Sequence, residues 1–575
     1  MSAPNKKTIK TDILIVGGGG AGMFAAIKAK EAGADKVTLV TKGKFGMDSV
    51  TKFAAGVIDV VTPDDDKEEE FKIRHLGDGW GAGLSDEEWV WIRVNEGYDR
   101  LMELVSWGVE FKKGPDGKIE RLPMKRNAKK AMFHGTDLSP VMARETKKRG
   151  VEIVEHTMVT DLLTEDGKAG TRVVGAVGFG GKTGQYTVFE AKAVVVAPGG
   201  CGYKNRFACH RMVTGDGPAM AYRAGAIIGK LDQVAFHTTS TEYDAQGLNM
   251  FQALGGRWVN GKGEEFLIDY DPILGNHTSM SRLSQAGAVE VRAGRGPIYL
   301  DMTHFTPEQV ETMRWVLPVP SAILERAGAM VGNKIVKKIP WAGVFYGSVH
   351  VGGGIEVMST KCESSLPGLY TCGDSMAKAK NTRSLMAAFT SGARAGKYVA
   401  EYAKKADAPK ISEEQVEKLR VSVFSPMGKK DGVTPDHLTI KLQETINPYE
   451  VTMIMSDERL KKALEKLDVI RDTELPMVFA SDVHYLRMAN EVRSMYLFAE
   501  MQLRSIYFRK ESRDSCLKED YPYTDNINWL KWIRLKNENG NMRLWADDIE
   551  FKKLAPKREK YLHPVFEGAK KREKL

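Results

Sequence analysis

The run Asp12-Ile13-Leu14-Ile15-Val16-Gly17-Gly18-Gly19-Gly20-Ala21-Gly22 sets the reading of this chain. A short apolar segment of strand length enters a glycine cluster, and residues 23–32 are then rich in Ala, Lys and Glu, a helix composition. Val37-Thr38-Leu39-Val40 reads as a second strand, so the N-terminus predicts strand, helix and strand in series. The cluster satisfies the spacing G-x-G-x-x-G in the one context that gives it a mechanism. Gly17 permits the tight turn, Gly19 lets the backbone approach a pyrophosphate, and Gly22 allows close packing of helix on strand. Gly20 lies in the same turn, where the first N–H groups of the helix have no intrahelical acceptor and favour an anion. The end of the second strand, where an acidic residue would take a ribose hydroxyl, carries Thr41 and Lys42 instead.

The rest of the composition narrows the class. A chain of 575 residues has room for roughly three to four domains. With 42% hydrophobic and 28% charged residues it is not largely disordered. No run reaches the roughly 18 apolar residues of a membrane-spanning helix, and no apolar segment with a cleavage site precedes the first strand, which predicts a cytoplasmic protein without a transmembrane segment. The cysteines (Cys201, Cys209, Cys362, Cys372, Cys516) form no C-x-x-C pair, so no iron–sulfur, zinc or other metal site is assigned. Lys plus Arg is 84 against 75 acidic residues, a net charge of +9, and from Lys552 to Leu575 nine basic residues face three Glu. That tail is read as solvated chain, with docking of an acidic partner as the alternative. No nucleic-acid module is recognised, and nucleic acid is not expected as a partner. The charge run from Asp64 to Glu70 predicts a solvated loop or a helix start. Residues 411–515 read as mostly helical, with Met488, Val492, Met495, Ala499, Leu503 and Ile506 at helical spacing as core.

Three later segments extend the opening motif. Ala197-Pro198-Gly199-Gly200 follows a predicted strand, Thr214-Gly215-Asp216-Gly217 opens a helix, and Leu366-Pro367-Gly368-Leu369-Tyr370-Thr371-Cys372-Gly373-Asp374 is a strand ending in Gly-Asp. Their order resembles the two-dinucleotide-binding flavoproteins, in which the distal Gly-Asp bonds the ribityl or phosphate part of FAD. There is no second G-x-G-x-x-G for a nicotinamide cofactor. Further matches are Phe236-His237-Thr238, Gly255-Gly256-Arg257-Trp258-Val259-Asn260, Gly294-Arg295-Gly296 leading to Tyr299-Leu300-Asp301, and His350 ahead of Gly353-Gly354-Ile355-Glu356. Arg509, Glu511, Ser512 and Arg513, then Glu519-Asp520-Tyr521-Pro522, complete the set. With these the chain resembles, over nearly its whole length, the fumarate reductase/succinate dehydrogenase flavoprotein superfamily, which also includes L-aspartate oxidase and the alpha subunit of adenylylsulfate reductase.

The resemblance implies an α/β fold: a Rossmann-like FAD-binding domain interrupted by an α+β capping domain and followed by a C-terminal helical domain. The expected bounds are 1–235 and 346–405 for the two parts of the FAD-binding domain, 236–345 for the cap, and 406–575 for the helical domain with its basic tail. The residues it assigns to FAD are Gly17, Gly19, Gly20, Gly22, Thr41, Lys42, Ala55, Gly56, Ala197, Gly199, Asp216, Gly373, Asp374, Ser384 and Leu385. The histidine that carries a covalent flavin in some members is absent, Thr51 or a neighbour standing there, which predicts non-covalent FAD.

The catalytic set implied is His237, Arg282, His350 and Arg383, with arginine suited to clamp a carboxylate through bidentate, charge-assisted bonds. Several positions depart from the fumarate reductase pattern. Leu248 and Asn249 stand at its Thr-Glu, its proton-donor Arg falls near Met280 with Arg282 two residues away, and its clamping Arg falls on Ala379. Its Asn-Ser-Leu becomes Arg383-Ser384-Leu385, with Lys378 and Lys380 just upstream. These changes look more like the adenylylsulfate reductase alpha side than true fumarate reductases. The expected function is an FAD-dependent oxidoreductase, a flavoprotein subunit passing a hydride between flavin N5 and a small anionic substrate. Electrons would be exchanged with a separate iron–sulfur or ferredoxin-like protein. The alternatives are a fumarate reductase- or L-aspartate oxidase-like dicarboxylate enzyme, and a non-catalytic FAD electron-transfer subunit. His134, His156, His277 and His484 read as structural.

Overall fold

β1 (Lys7–Val16), α1 (Gly20–Glu31) and β2 (Val37–Val40) follow one another as the glycine run predicts. The computed structural model describes residues 6–77, 81–123, 128–205, 211–237, 239–243, 245, 247–341, 348–350, 354–377 and 384–573. Ile13, Leu14, Ile15 and Val16 are all buried, without alternation, because both faces of the strand enter a core: Ile13 and Ile15 pack with residues of α1, and Leu14 and Val16 join a second apolar cluster on the other face. The other strands of that sheet are β3 (Glu152–Val154), β4 (Thr157–Thr164), β5 (Val173–Gly180), β6 (Tyr186–Val196) and β7 (Leu369–Thr371). Their order is β3-β2-β1-β6-β5-β4, with β7 also on β6. β3, β2, β1, β6 and β7 are parallel. β4 and β5 form an antiparallel meander on β6, with turns at 164–168 and 180–184 at its two corners.

β6 shares one edge between two partners. Tyr186 to Glu190 pairs with β5, and Val194 to Val196 pairs with β7, while the opposite edge follows β1. β2 lies on one side of β1 and β6 on the other, so the strand order reverses there and leaves a crevice beyond the carboxyl ends of the strands. α1 covers this part of the sheet beneath α4 (Leu385–Ala403). A Cβ on Gly392 or Gly396 would lie 2.4 or 2.2 Å from the carbonyl oxygens of Ala21 and Ala25, so glycine alone permits the two helices to approach this closely. Phe24 and Phe389 fill the adjoining space with ring centroids 4.9 Å apart.

The chain leaves this layer along Ala235–His237 and returns along Ser348–His350, two antiparallel strands whose backbone is described. The capping region between them holds a three-stranded antiparallel sheet (Arg257–Val259, Ile298–Asp301, Ile339–Trp341) and a helix, here α3 (Met280–Arg292), with Trp258 fully buried. The helical part beyond residue 411 is centred on α5 (Val483–Phe508). Val492, Met495, Ala499, Leu503 and Ile506 are buried there as predicted, and Met488 is half-buried. Asp66 in the charge run caps the helix Lys67–Leu76, accepting the N–H groups of Glu68 and Glu69.

Past α5 the structure departs from a purely helical reading. Lys531–Glu538 and Asn541–Asp548 form a hairpin that joins Ile228–Gly229 in a three-stranded sheet. Its turn is Asn539-Gly540, both at positive φ, which is the sequence signal for a two-residue hairpin. Nor is the basic tail solvated chain. Glu87 accepts the backbone N–H groups of Lys552, Lys553 and Leu554, and Pro564–Glu573 is a helix packed on the capping region. Among the described residues no helix is long and apolar enough to cross a membrane.

Candidate cofactor and substrate site

The turn after β1 is built by contacts that leave no room for side chains. Gly17 sits at φ +118°, and a Cβ there would lie 2.4 Å from the Ala197 carbonyl oxygen. A Cβ on Gly22 would lie 1.9 Å from the Gly17 carbonyl oxygen, and one on Gly20 would strike the Phe389 ring at 2.4 Å. Gly19 differs, since its nearest neighbour in that direction is Thr51 Oγ1 at 3.7 Å. Gly17 and Gly22 are therefore small for the protein's own packing, whereas Gly19 keeps open the space that a phosphate would enter. Gly19 caps α1 without a side chain, and no acidic residue lies in the first turn to repel an anion. Thr51 accepts the Gly20 N–H at 2.9 Å and braces the turn.

The opposite wall comes from residues far away in sequence. Ala197 N–H bonds the Val16 carbonyl at 2.8 Å. Ser375 Oγ accepts the Gly199 N–H at 3.0 Å and donates to the Gly199 carbonyl at 2.9 Å. The Gly373 N–H bonds Ser391 Oγ at 3.0 Å, and a Cβ on Gly373 would meet the Ala21 Cβ at 2.7 Å. Thus Gly373-Asp374 lies on the first turn of α1 beside Ala197 and Gly199. Ser384 caps α4 by accepting the Ala387 N–H at 3.3 Å, with Leu385 next to it. Arg383, with Lys378 and Lys380, lies outside the described residues.

Thr41 and Lys42 divide the end of β2. Thr41 is buried against Gly18, whose Cβ would meet the Thr41 Oγ1 at 3.1 Å. Lys42 turns to the protein: its ammonium bonds Thr214 Oγ1 at 2.8 Å and reaches Asp216 Oδ2 at 3.0 Å and Glu491 Oε1 at 2.9 Å. Burial alone would lower the Lys42 ammonium, but Asp216 and Glu491 hold it above the ordinary lysine range. Asp216 begins the helix α2 (Asp216–Arg223), and its second oxygen, Oδ1, is buried and has no hydrogen-bond partner among the described residues. An unsatisfied carboxylate oxygen inside a protein is costly unless a ligand completes it. That orphan acceptor and the open cradle at Gly19 fit the hydroxyls and pyrophosphate of FAD. The residues that would hold it are Gly19, Gly20, Thr41, Ala197, Gly199, Asp216, Gly373 and Asp374.

Glu491, on α5, was not read from the sequence, because nothing in a helix pattern shows which residue of the distant β2 it meets. Its side chain is only 1% exposed and lies among Lys42, Lys204 and Arg487. Burial pushes its carboxyl up, but these three cations outweigh that and bring it to about 2, against an ordinary 4.5. A carboxyl lowered on folding contributes stability that is fully present above its unfolded value and is lost as pH falls through the folded one. We therefore expect wild type to out-melt Glu491→Gln by a constant margin from neutral pH to about pH 5, with the margin vanishing between about pH 4.5 and 2. Thermal melts across that range decide it, and a pH-independent margin would dismiss the charge cluster as its source.

Ala55 and Gly56 lie where the first layer meets the cap. Gly56 is at φ +61°, and a Cβ there would be 2.4 Å from the Val316 carbonyl, at the end of the cap helix Pro307–Val316. Gly56 is thus required by packing at this seam. Arg282 is in the first turn of α3, where its guanidinium reaches Asp271 at 2.9 Å and is 11% exposed. The strand register sets His350 opposite Ala235 and His237 opposite Ser348, so both stand on the paired strands that link the two regions, with α3 packed on the first of them. Leu248 and Asn249 open the short helix Leu248–Ala253. His134, read as structural, has company at the seam: Thr136 Oγ1 at 3.0 Å, Asp137 Oδ1 at 3.2 Å and the Trp315 ring.

Residues 12–388 match the family described as "FAD binding domain", and residues 440–561 match "Fumarate reductase flavoprotein C-term". The chain belongs to the fumarate reductase/succinate dehydrogenase flavoprotein family, and it is an FAD-dependent oxidoreductase. An uncharacterized FAD-dependent oxidoreductase of Methanocaldococcus jannaschii is 28% identical, over 94% of this chain and 98% of its own. A fumarate reductase (CoM/CoB) subunit of Methanothermobacter marburgensis is 27% identical, over 92% and 97%. In fold, adenylylsulfate reductase from Archaeoglobus fulgidus gives a TM-score of 0.83 at 21% identity, covering 95% of this chain and 97% of that one. Quinol fumarate reductase of E. coli gives 0.81 at 23% identity, covering 96% and 98%.

Proposed function

We propose that this protein passes a hydride between its flavin and a small anionic substrate held beneath the cap, and exchanges electrons with a separate iron–sulfur or ferredoxin-like protein. The observation that carries this reading is the pairing of the strands Ala235–His237 and Ser348–His350, which stand at the link between cap and FAD layer and carry His237 and His350, with α3, the helix that bears Arg282, against the first of them. When bound, FAD supplies the two-electron centre. The chain's part is to orient the substrate and to manage charge: Arg282 and Arg383 as cations for carboxylate or oxyanion, His237 and His350 as hydrogen-bonding partners. Leu248 and Asn249 do not titrate, so proton delivery to a carbon centre falls to other residues.

Three facts support the partner and the mode of attachment. The chain has no second dinucleotide motif, and its relatives include proteins described as subunits. The segment Ser49-Val50-Thr51-Lys52-Phe53 contains no histidine, which supports non-covalent FAD. Acid precipitation should accordingly release the flavin into solution, whereas colour retained in the pellet would mean a covalent link. The test of the reaction is anaerobic: reduce the flavin fully, add fumarate, and follow the return of oxidised absorbance. Fast, stoichiometric reoxidation would establish a dicarboxylate reductase. Reoxidation by none of a panel of small anionic acceptors, including sulfur oxyanions, would overturn the substrate reading in favour of an electron-transfer role.

A further inference from the structure

The C-terminal segment read from sequence as a solvated tail is instead a strap with two anchored ends. At one end the Glu87 carboxylate, on a helix of the FAD layer, accepts the backbone N–H groups of Lys552 at 2.6 Å, Lys553 at 3.1 Å and Leu554 at 2.7 Å. His75 Nε2 is 2.9 Å from the Leu554 carbonyl, and the Lys553 ammonium lies 3.9 Å over the Trp91 ring. At the other end the helix Pro564–Glu573 seats on the cap. A Cβ on Gly568 would be 2.5 Å from the Tyr270 ring, so the helix lies flush against it. Arg572 closes the contact, reaching Glu264 at 2.6 Å, Asp269 at 2.7 Å and Glu290 at 2.8 Å, with its side chain 8% exposed.

These three carboxylates frame the part of the cap that carries the candidate cation. Asp269 is two residues from Asp271, which holds Arg282, and Glu290 is on the same helix as Arg282. Glu290 is itself fully buried and also takes two bonds from Arg295, at 2.7 and 2.8 Å, one from Asn260 and one from Tyr270. A buried, forked guanidinium on three acids has one geometry, unlike a flexible surface pair.

We propose that Arg572 is a positioning residue: through the strap it fixes the cap, and with it Arg282, over the flavin. The inference rests on the reading that substrate binds between cap and flavin. Loosening the anchor opens the cap, exposes the flavin to solutes and weakens substrate orientation, while the cradle at Gly19 and Asp216, remote in sequence from the strap, keeps its FAD.

The test uses the full-length holoprotein and the variants R572Q, R572K and E87Q, the last loosening the strap at its opposite end. Flavin content is measured first. Next come quenching of flavin fluorescence by iodide, the rate at which dioxygen reoxidises the photoreduced flavin, and amide exchange over residues 264–292. In R572Q with full flavin content, oxygen reoxidation should rise about tenfold, in the usual range for coupling between two sites. Iodide quenching should rise with it, exchange should quicken over 264–292, and R572K should fall between R572Q and wild type. E87Q should move the same readouts in the same direction. Unchanged quenching, reoxidation and exchange in both R572Q and E87Q would overturn the proposal, as would loss of FAD from R572Q together with an unaltered cap in E87Q. None of these readouts needs a known substrate, so failure of the hydride-acceptor panel would leave this result independent.

Discussion

Gly22→Ala should purify without FAD. The added methyl would stand 1.9 Å from the Gly17 carbonyl oxygen, backbone against helix, where no side-chain rotation can relieve it. α1 cannot back away either, because Gly392 and Gly396 of α4 already press on the Ala21 and Ala25 carbonyls from the other side. The helix must shift and the phosphate cradle distort, at a cost of about 3 kcal/mol by analogy with overpacked cores. Flavin-to-protein absorbance and a denaturant titration measure both effects. Gly19→Ala is the informative companion: its nearest protein atom would be 3.7 Å away, so it should fold with wild-type stability and yet bind FAD more weakly. Should Gly22→Ala retain full flavin at an unchanged midpoint, the assignment of this turn as the cofactor cradle would be lost.

The second large effect is expected at Arg509, just beyond α5. Its guanidinium is 1% exposed, meets Asp232 and Glu511 at 2.6 Å each, and stacks near the Trp529 ring. Glu511 is engaged in turn by Arg513 at 2.8 Å and by the Asp525 N–H. Arg509→Met strands Asp232, itself buried, without its cation. Removing one member of a buried pair costs about 3–5 kcal/mol, whereas an exposed pair such as Lys6–Glu413 is worth about 0–1. Urea unfolding of Arg509→Met, Asp232→Asn and the double variant should show the double recovering part of the loss. A cost for Arg509→Met no larger than that of Lys6→Met would contradict it. Asp232 lies shortly before Ala235, so this pair ties the base of the cap to the helical region.

What could be read beforehand followed from how strictly geometry selects residues. The turn at Gly17 to Gly22 tolerates no side chains at two of its positions, so its spacing is visible in a single sequence. Val492 to Ile506 was legible for a simpler reason, since one face of a helix must be apolar to be buried. Asn539-Gly540 was equally legible as a hairpin turn, yet the helical expectation for the region concealed it. Charges were harder. Lys42 occupies the slot of a ribose-binding residue, but its partner Glu491 is brought by tertiary packing, and no local pattern records that. A tail rich in Lys and Arg has the same composition whether it is solvated or, as with Arg572, locked onto acids of another region. His237 and His350 came from resemblance, and the strand register adds only that they stand at opposite ends of one three-residue ladder.

The shared edge of β6 has a consequence for synthesis. Its upper half, Val194 to Val196, has no second neighbour until Leu369–Thr371 has been made, and the same late segment delivers Gly373, Asp374 and Ser375 to the cradle. α4, which presses α1 into place, emerges later still. At about 5–20 residues per second, the ribosome therefore leaves the nascent N-terminal half waiting for many seconds with a half-made sheet. Flavin capture belongs to the end of translation, and a chain arrested before residue 369 should hold none.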